Sequence, residues 1–152
     1  MQKKILLTLL ISFILIIQSC YDSVNSPQYY IAGTVTFTDT HLSTGQGYYA
    51  VSVYADTSQP YQRAPIISDS LTITVAGNVA TANYRIENVP AGTFHVGTTW
   101  ICTQTGNIRG VLGIYGCDTA VNCMGTHVGI PNYSGTNDIN FLSWTDTLKR
   151  LY

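Results

Sequence analysis

Residues 84–97, Tyr-Arg-Ile-Glu-Asn-Val-Pro-Ala-Gly-Thr-Phe-His-Val-Gly, carry two period-two segments separated by a proline and a glycine. Tyr84 and Ile86 alternate with Arg85 and Glu87, Pro90 and Gly92 interrupt, and Phe94 and Val96 resume the alternation. A period of two lays one apolar face along a strand, whereas a helix needs apolar residues every three to four positions. Proline cannot donate to a ladder and glycine turns freely, so the chain must leave one strand and enter another within a few residues.

The same grammar recurs along the chain. Residues 29–38 set Ile31, Val35 and Phe37 against Tyr30, Thr34, Thr36 and Thr38, and residues 47–56 set Tyr49, Val51, Val53 and Ala55 against Tyr48, Ser52 and Tyr54. Residues 57–68, with Pro60 and Pro65, read as a surface loop. Gly77-Asn78 is a two-residue hairpin signal between 70–76 and 79–86, and pairing about it sets Val75 opposite Ala80, Ile73 opposite Ala82 and Leu71 opposite Tyr84. Pairing about Gly106-Asn107 is less regular. It puts Phe94, Val96, Trp100, Cys102, Val111 and Tyr115 on one face but leaves Ile101, Leu112 and Ile114 on the other, which calls for a bulge or a covered second face. Residues 126–130 and 138–143 supply two further strands, and 144–152 suit either an extension of the last strand or one helical turn. The expected fold is all-β, a single antiparallel β-sandwich of seven or eight strands over 29–152, with a small barrel as the alternative.

The first 28 residues are of another kind. Lys3 and Lys4 precede an apolar run from 5 to 17 that is too short to span a bilayer and fits an export signal. Ile17-Gln18-Ser19-Cys20 resembles the bacterial lipobox, which implies cleavage after residue 19 and lipid attachment at Cys20, with 20–28 as a tether. Tyr21 follows the cysteine where an inner-membrane retention signal would carry Asp, so an outer-membrane or surface destination is favoured over the inner membrane. Without Lys3 and Lys4, five Lys and Arg stand against eight Asp and Glu, a balance that gives no basic patch for nucleic acid.

Ile31-Ala-Gly-Thr-Val-Thr-Phe, Tyr49-Ala-Val-Ser-Val-Tyr-Ala and the block carrying Tyr84, Ile86, Val89, Pro90, Gly92 and Phe94 together resemble the carboxypeptidase regulatory-like, or transthyretin-like, β-sandwich family. The resemblance covers residues 29–101 and, more thinly, a closing strand at 137–141. It implies an accessory, surface or binding module more than an activity. The hydrolase branch of that group ends in Tyr-Arg-Gly-Ser, whereas this chain ends Lys149-Arg150-Leu151-Tyr152.

Three cysteines follow Cys20. Cys117 and Cys123 enclose a short polar loop, and the hairpin register sets Cys117 about 20 Å from Cys102 along a strand, so the expected bridge is Cys117 to Cys123 with Cys102 a buried thiol. Spacing alone does not fix that connectivity. His41, His95 and His127 are far apart in sequence with no metal-ligand spacing, and His95 falls on the outward strand face beside Thr93 and Thr99; they read as surface histidines, with no metal and no cofactor expected. Asp118, Asn122, Asn132, Asn137 and Asp138 offer loop oxygens but no calcium-loop motif. No Gly-x-Ser-x-Gly elbow is present, and no catalytic residue is assigned.

The aromatic residues remain. Tyr30, Tyr48, Tyr54 and Tyr61 fall on outward faces or in the 57–68 loop, where they could stack on a sugar or anchor a protein, although tyrosine is common on strands for its own sake. The sequence therefore points to a lipid-anchored, extracytoplasmic β-sandwich, not an enzyme, with a structural or protein-interaction role in the cell envelope. Its partners would be the membrane, through the lipid, and an envelope protein or glycan; the alternative is a carbohydrate-binding module that uses those tyrosines.

Overall fold

The alternating segments pair into two facing sheets. The computed structural model describes residues 29–43, 45–131 and 134–152; the export signal, the tether and Cys20 lie outside them. The strands are β1 (Tyr30–Phe37), β2 (Gly47–Ala55), β3 (Ile67–Ser70), β4 (Thr74–Ala76), β5 (Val79–Glu87), β6 (Gly92–Cys102), β7 (Ile108–Ile114), β8 (Val128–Ile130) and β9 (Phe141–Ser143), with a 3-10 turn at Pro60–Gln62. One sheet has the order β4-β5-β1-β9, and the other has the order β3-β2-β6-β7 with β8 also paired to β6. The all-β sandwich expected from the sequence is what forms. It has nine described strands rather than seven or eight, and β9 runs parallel to β1 in an otherwise antiparallel arrangement.

The main core lies between the sheets and collects the apolar side of each alternation: Ile31, Val35 and Phe37 from β1, Tyr49, Val51 and Val53 from β2, Ile86 from β5, and Val96 and Trp100 from β6. Each such side chain contributes about 1.5–3 kcal/mol on burial. Residues 84–97 link the two sheets, since β5 ends in one and β6 begins in the other. Asn88 takes a left-handed φ of 60°, a conformation asparagine tolerates better than most residues, and Val89 behind it is fully buried.

Two departures position the functional face. The first concerns 70–76. Val75 pairs with Ala80 as the Gly77-Asn78 hairpin requires, but the pairing ends at Thr74 with Thr81. Leu71 instead donates its backbone N–H to Tyr49 in the other sheet at 2.8 Å. The chain thus changes sheets over 71–73, a move that unbroken alternation does not announce.

The second concerns β7. Against β6 it gains one residue between Thr98 and Thr99 and another between Trp100 and Ile101. These bulges rotate Leu112 into the main core while Val111 and Ile114 point away from it. The second face is covered as well, by a smaller cluster of Tyr54, Tyr61, Val111, Ile114 and Cys117. The C-terminal segment helps to cover it: Leu151 donates to the Val111 carbonyl at 2.8 Å, so the tail lies along the edge of β7.

Candidate functional site

The four tyrosines singled out in the sequence do not form one platform. Tyr30 lies on the other sheet, beneath the Arg85 guanidinium, which sits 3.3 Å from the ring centroid. Arg85 is itself paired with Glu87, and Asn137 Nδ2 donates to the Tyr30 hydroxyl at 3.1 Å. These donors lower the Tyr30 pKa. Tyr48 is the exposed member on the five-stranded sheet, at 41%. Tyr54, expected to face outward, is only 1% exposed, and Tyr61, expected on a surface loop, is buried against it. The alternation assigned Tyr54 to the correct side of β2, but that side is covered by the second cluster.

Tyr61 organises this cluster. The 3-10 turn presses its ring against Tyr54 at a centroid distance of 5.1 Å, against Tyr152 at 4.9 Å and against His95 at 5.9 Å. Its hydroxyl donates to the Met124 carbonyl at 3.0 Å. Met124 belongs to the segment tied by the Cys117–Cys123 disulfide, which forms as the spacing suggested; Cys102 is buried outside it. Closing so short a loop is worth about 2 kcal/mol in the chain-entropy account. Replacing both cysteines with serine is therefore expected to lower unfolding free energy by about that amount, read as a reduced urea midpoint, and wild type under strong reductant should show the same midpoint.

Beyond the disulfide the chain returns to the sheet and delivers His127. The β6–β8 ladder pairs Phe94 with Val128, and continuing it by one step sets His127 beside His95. On the opposite side of β6, His95 pairs with Tyr54 of β2, and Asp56, two residues beyond Tyr54, shares its face. Three adjacent strands thereby converge on one point. Asp56 Oδ1 is 3.1 Å from His127 Nε2 and 3.5 Å from His95 Nε2, and the imidazole centroids are 4.7 Å apart.

This corrects the sequence reading, which took the histidines as isolated and His95 as a surface residue. His95 is on the outward face of β6, yet its side chain is only 2% exposed, because the Tyr61 turn and the disulfide-bearing segment lie over it. Burial holds its pKa below the ordinary value; His127 acts in the same direction, and Asp56 opposes both. The ring is thus favoured as a neutral imidazole. No local spacing could have revealed the cluster, because its members lie within β6 and just beyond the ends of β2 and β8, and the register of β8 on β6 that brings His127 to His95 is not written in alternation.

Further along this sheet face, sharing Tyr61 with the cluster, a groove of about 740 Å³ runs between the 3-10 turn, the end of β6 and the C-terminal tail. Tyr48, Tyr61, Arg63, Asn107, Arg150 and Tyr152 are among its lining residues. It unites Tyr48 and Tyr61 and leaves Tyr30 on the other sheet. Compared with protein-family models, curated proteins and solved structures, the chain matches none.

Proposed function

We propose that the protein is a lipid-anchored, extracytoplasmic β-sandwich that acts as an interaction module of the cell envelope rather than as an enzyme. The observation that carries this reading is the groove on the outer face of the five-stranded sheet, where aromatic Tyr48 and cationic Arg63 and Arg150 border one concavity. Aromatic and arginine side chains are the types enriched where protein surfaces meet. The two-sheet architecture is compatible with the carboxypeptidase regulatory-like likeness of residues 29–101, whose members serve mainly as accessory and binding modules, and the lipobox-like Ile17-Gln18-Ser19-Cys20 supports the anchor.

Two experiments test the reading. Cys20→Ala should move the protein from the membrane to the soluble fraction, and unchanged membrane association would overturn the anchor. A photo-crosslinking residue at position 48 should give one discrete adduct with an envelope protein in intact cells, lost when Arg63 is also replaced by alanine. Carbohydrate binding is the second reading, favoured by Tyr48 standing 41% exposed at the groove. It predicts glycan-array binding that Tyr48→Ala abolishes, without a protein adduct. Neither adduct nor glycan would sink both.

A further inference from the structure

We propose that Asp56, His95 and His127 form a binding site for a divalent transition-metal ion of the zinc class. The proposal is independent of the interaction reading, since the site lies at the other end of the sheet face from Tyr48. Four observations bear on it.

The donor set comes first. Two imidazole nitrogens and one carboxylate oxygen suit zinc and its neighbours, whereas magnesium and calcium take oxygen ligands almost alone. The geometry comes second. With metal–ligand bonds of about 2.0–2.1 Å, tetrahedral donors sit about 3.3 Å from one another. The two carboxylate-to-imidazole separations, 3.1 and 3.5 Å, bracket that value, and all three donor atoms fall within 4.8 Å of one another. The Asp56 carboxylate oxygen therefore already stands at ligand spacing from each imidazole.

The scaffold is the third. β2, β6 and β8 are joined by continuous ladders; His95 stands within β6, while Asp56 and His127 sit one residue beyond the ends of β2 and β8, so paired strands anchor all three. The fourth is the state of the buried ligand. His95 Nδ1 is buried and makes no hydrogen bond of good geometry, yet the ring is within reach of the Met124 backbone. An imidazole held this way gains when Nε2 ligates a cation and Nδ1–H turns to a backbone carbonyl, the usual outer-shell arrangement of a metal-bound histidine. Asp56 and His127 are 42% and 60% exposed, so three protein ligands would leave the fourth position facing solvent. That is the form of an accessible site rather than a sealed structural one.

The test uses the full chain without a histidine tag. Zinc is titrated by calorimetry, and cobalt is added as a spectroscopic stand-in whose visible absorption reports tetrahedral coordination. The expected result is one equivalent bound, tetrahedral cobalt bands, and at least tenfold weaker zinc binding in both Asp56→Asn and His127→Ala. His41→Ala, which removes the remaining exposed histidine, should bind as wild type does. Because Asp56 and His127 are exposed, these variants keep the fold even where His95→Ala fails to form it. Equal affinity in wild type and His127→Ala, no cobalt bands, or loss of binding in His41→Ala instead would each overturn the site.

Discussion

Replacing Gly33 with alanine is expected to cost about 3 kcal/mol, near the upper end of what one added methyl does in a packed interior. Gly33 lies in β1, paired with Tyr84 of β5. A Cβ there would sit 2.1 Å from the carbonyl oxygen of Ile139 and 2.6 Å from its carbonyl carbon. The obstruction is main chain, which cannot swing aside as a side-chain tip can. Ile139 is tied on both sides, its N–H donating to the Ala32 carbonyl at 3.2 Å and its own carbonyl accepting from the Tyr84 hydroxyl at 2.7 Å. Moving it sacrifices those bonds, and against a total stability of about 5–15 kcal/mol that loss is large. Gly129→Ala is the control, because a Cβ at Gly129 meets nothing within 4 Å; its urea midpoint should match or slightly exceed that of wild type. Equal midpoints for the two variants would show that residue 139 does not approach β1 so closely.

Raising the pH above about 10 is expected to unfold the protein cooperatively, because ionising its buried phenols and keeping its fold are incompatible. Burial pushes the pKa of Tyr54, Tyr61 and Tyr84 well above the ordinary tyrosine value, and for Tyr61 the neighbouring Tyr152 and Tyr54 add to the shift. In each case the folded value is raised, so stability is complete below about pH 10, where both states are protonated. Above it the unfolded chain releases protons that the folded chain retains, and stability falls as pH climbs toward the folded values. The last part of the phenolate absorbance, from the buried rings, should therefore appear only with loss of near-ultraviolet circular dichroism, and Tyr54→Phe should hold its fold to higher pH. Full phenolate absorbance with the near-ultraviolet signal intact would contradict the burial.

The tyrosines also show how far the sequence could be read. Alternation in β2 separates Tyr49, Val51 and Val53 from Tyr48, Ser52 and Tyr54, and the structure keeps that separation. What alternation lacks is any statement about what lies above the second side. Tyr54 is covered by Tyr61 from the 3-10 turn, by Val111 and Ile114 from the bulged β7 and by Cys117 beyond it, none of which the alternation of β2 itself announces. The Gly77-Asn78 turn was legible because two residues suffice to set it, and the Cys117–Cys123 bridge because six residues of separation close easily. The passage from one sheet to the other over 71–73 was not, since hydrophobic pattern continues unchanged while the hydrogen-bond partner does not. The Asp56, His95 and His127 cluster depends on the registers of two ladders at once. Its residue types were visible, but their meeting was not.

The parallel pairing of β1 with β9 sets the tempo of folding. Val35 lies alongside Phe141, and the Thr34 N–H donates to Asn140 across a sequence separation of 106 residues. Contacts this distant repay the entropy of closing the intervening chain only late, so the domain should fold slowly for its size, with the β5–β1 and β2–β6 pairs forming before the ninth strand docks. Until then one flank of β1 presents unpaired backbone groups and the uncovered side of Gly33. A chain stopped short of residue 139 would keep that flank open, a template onto which another copy could add a strand.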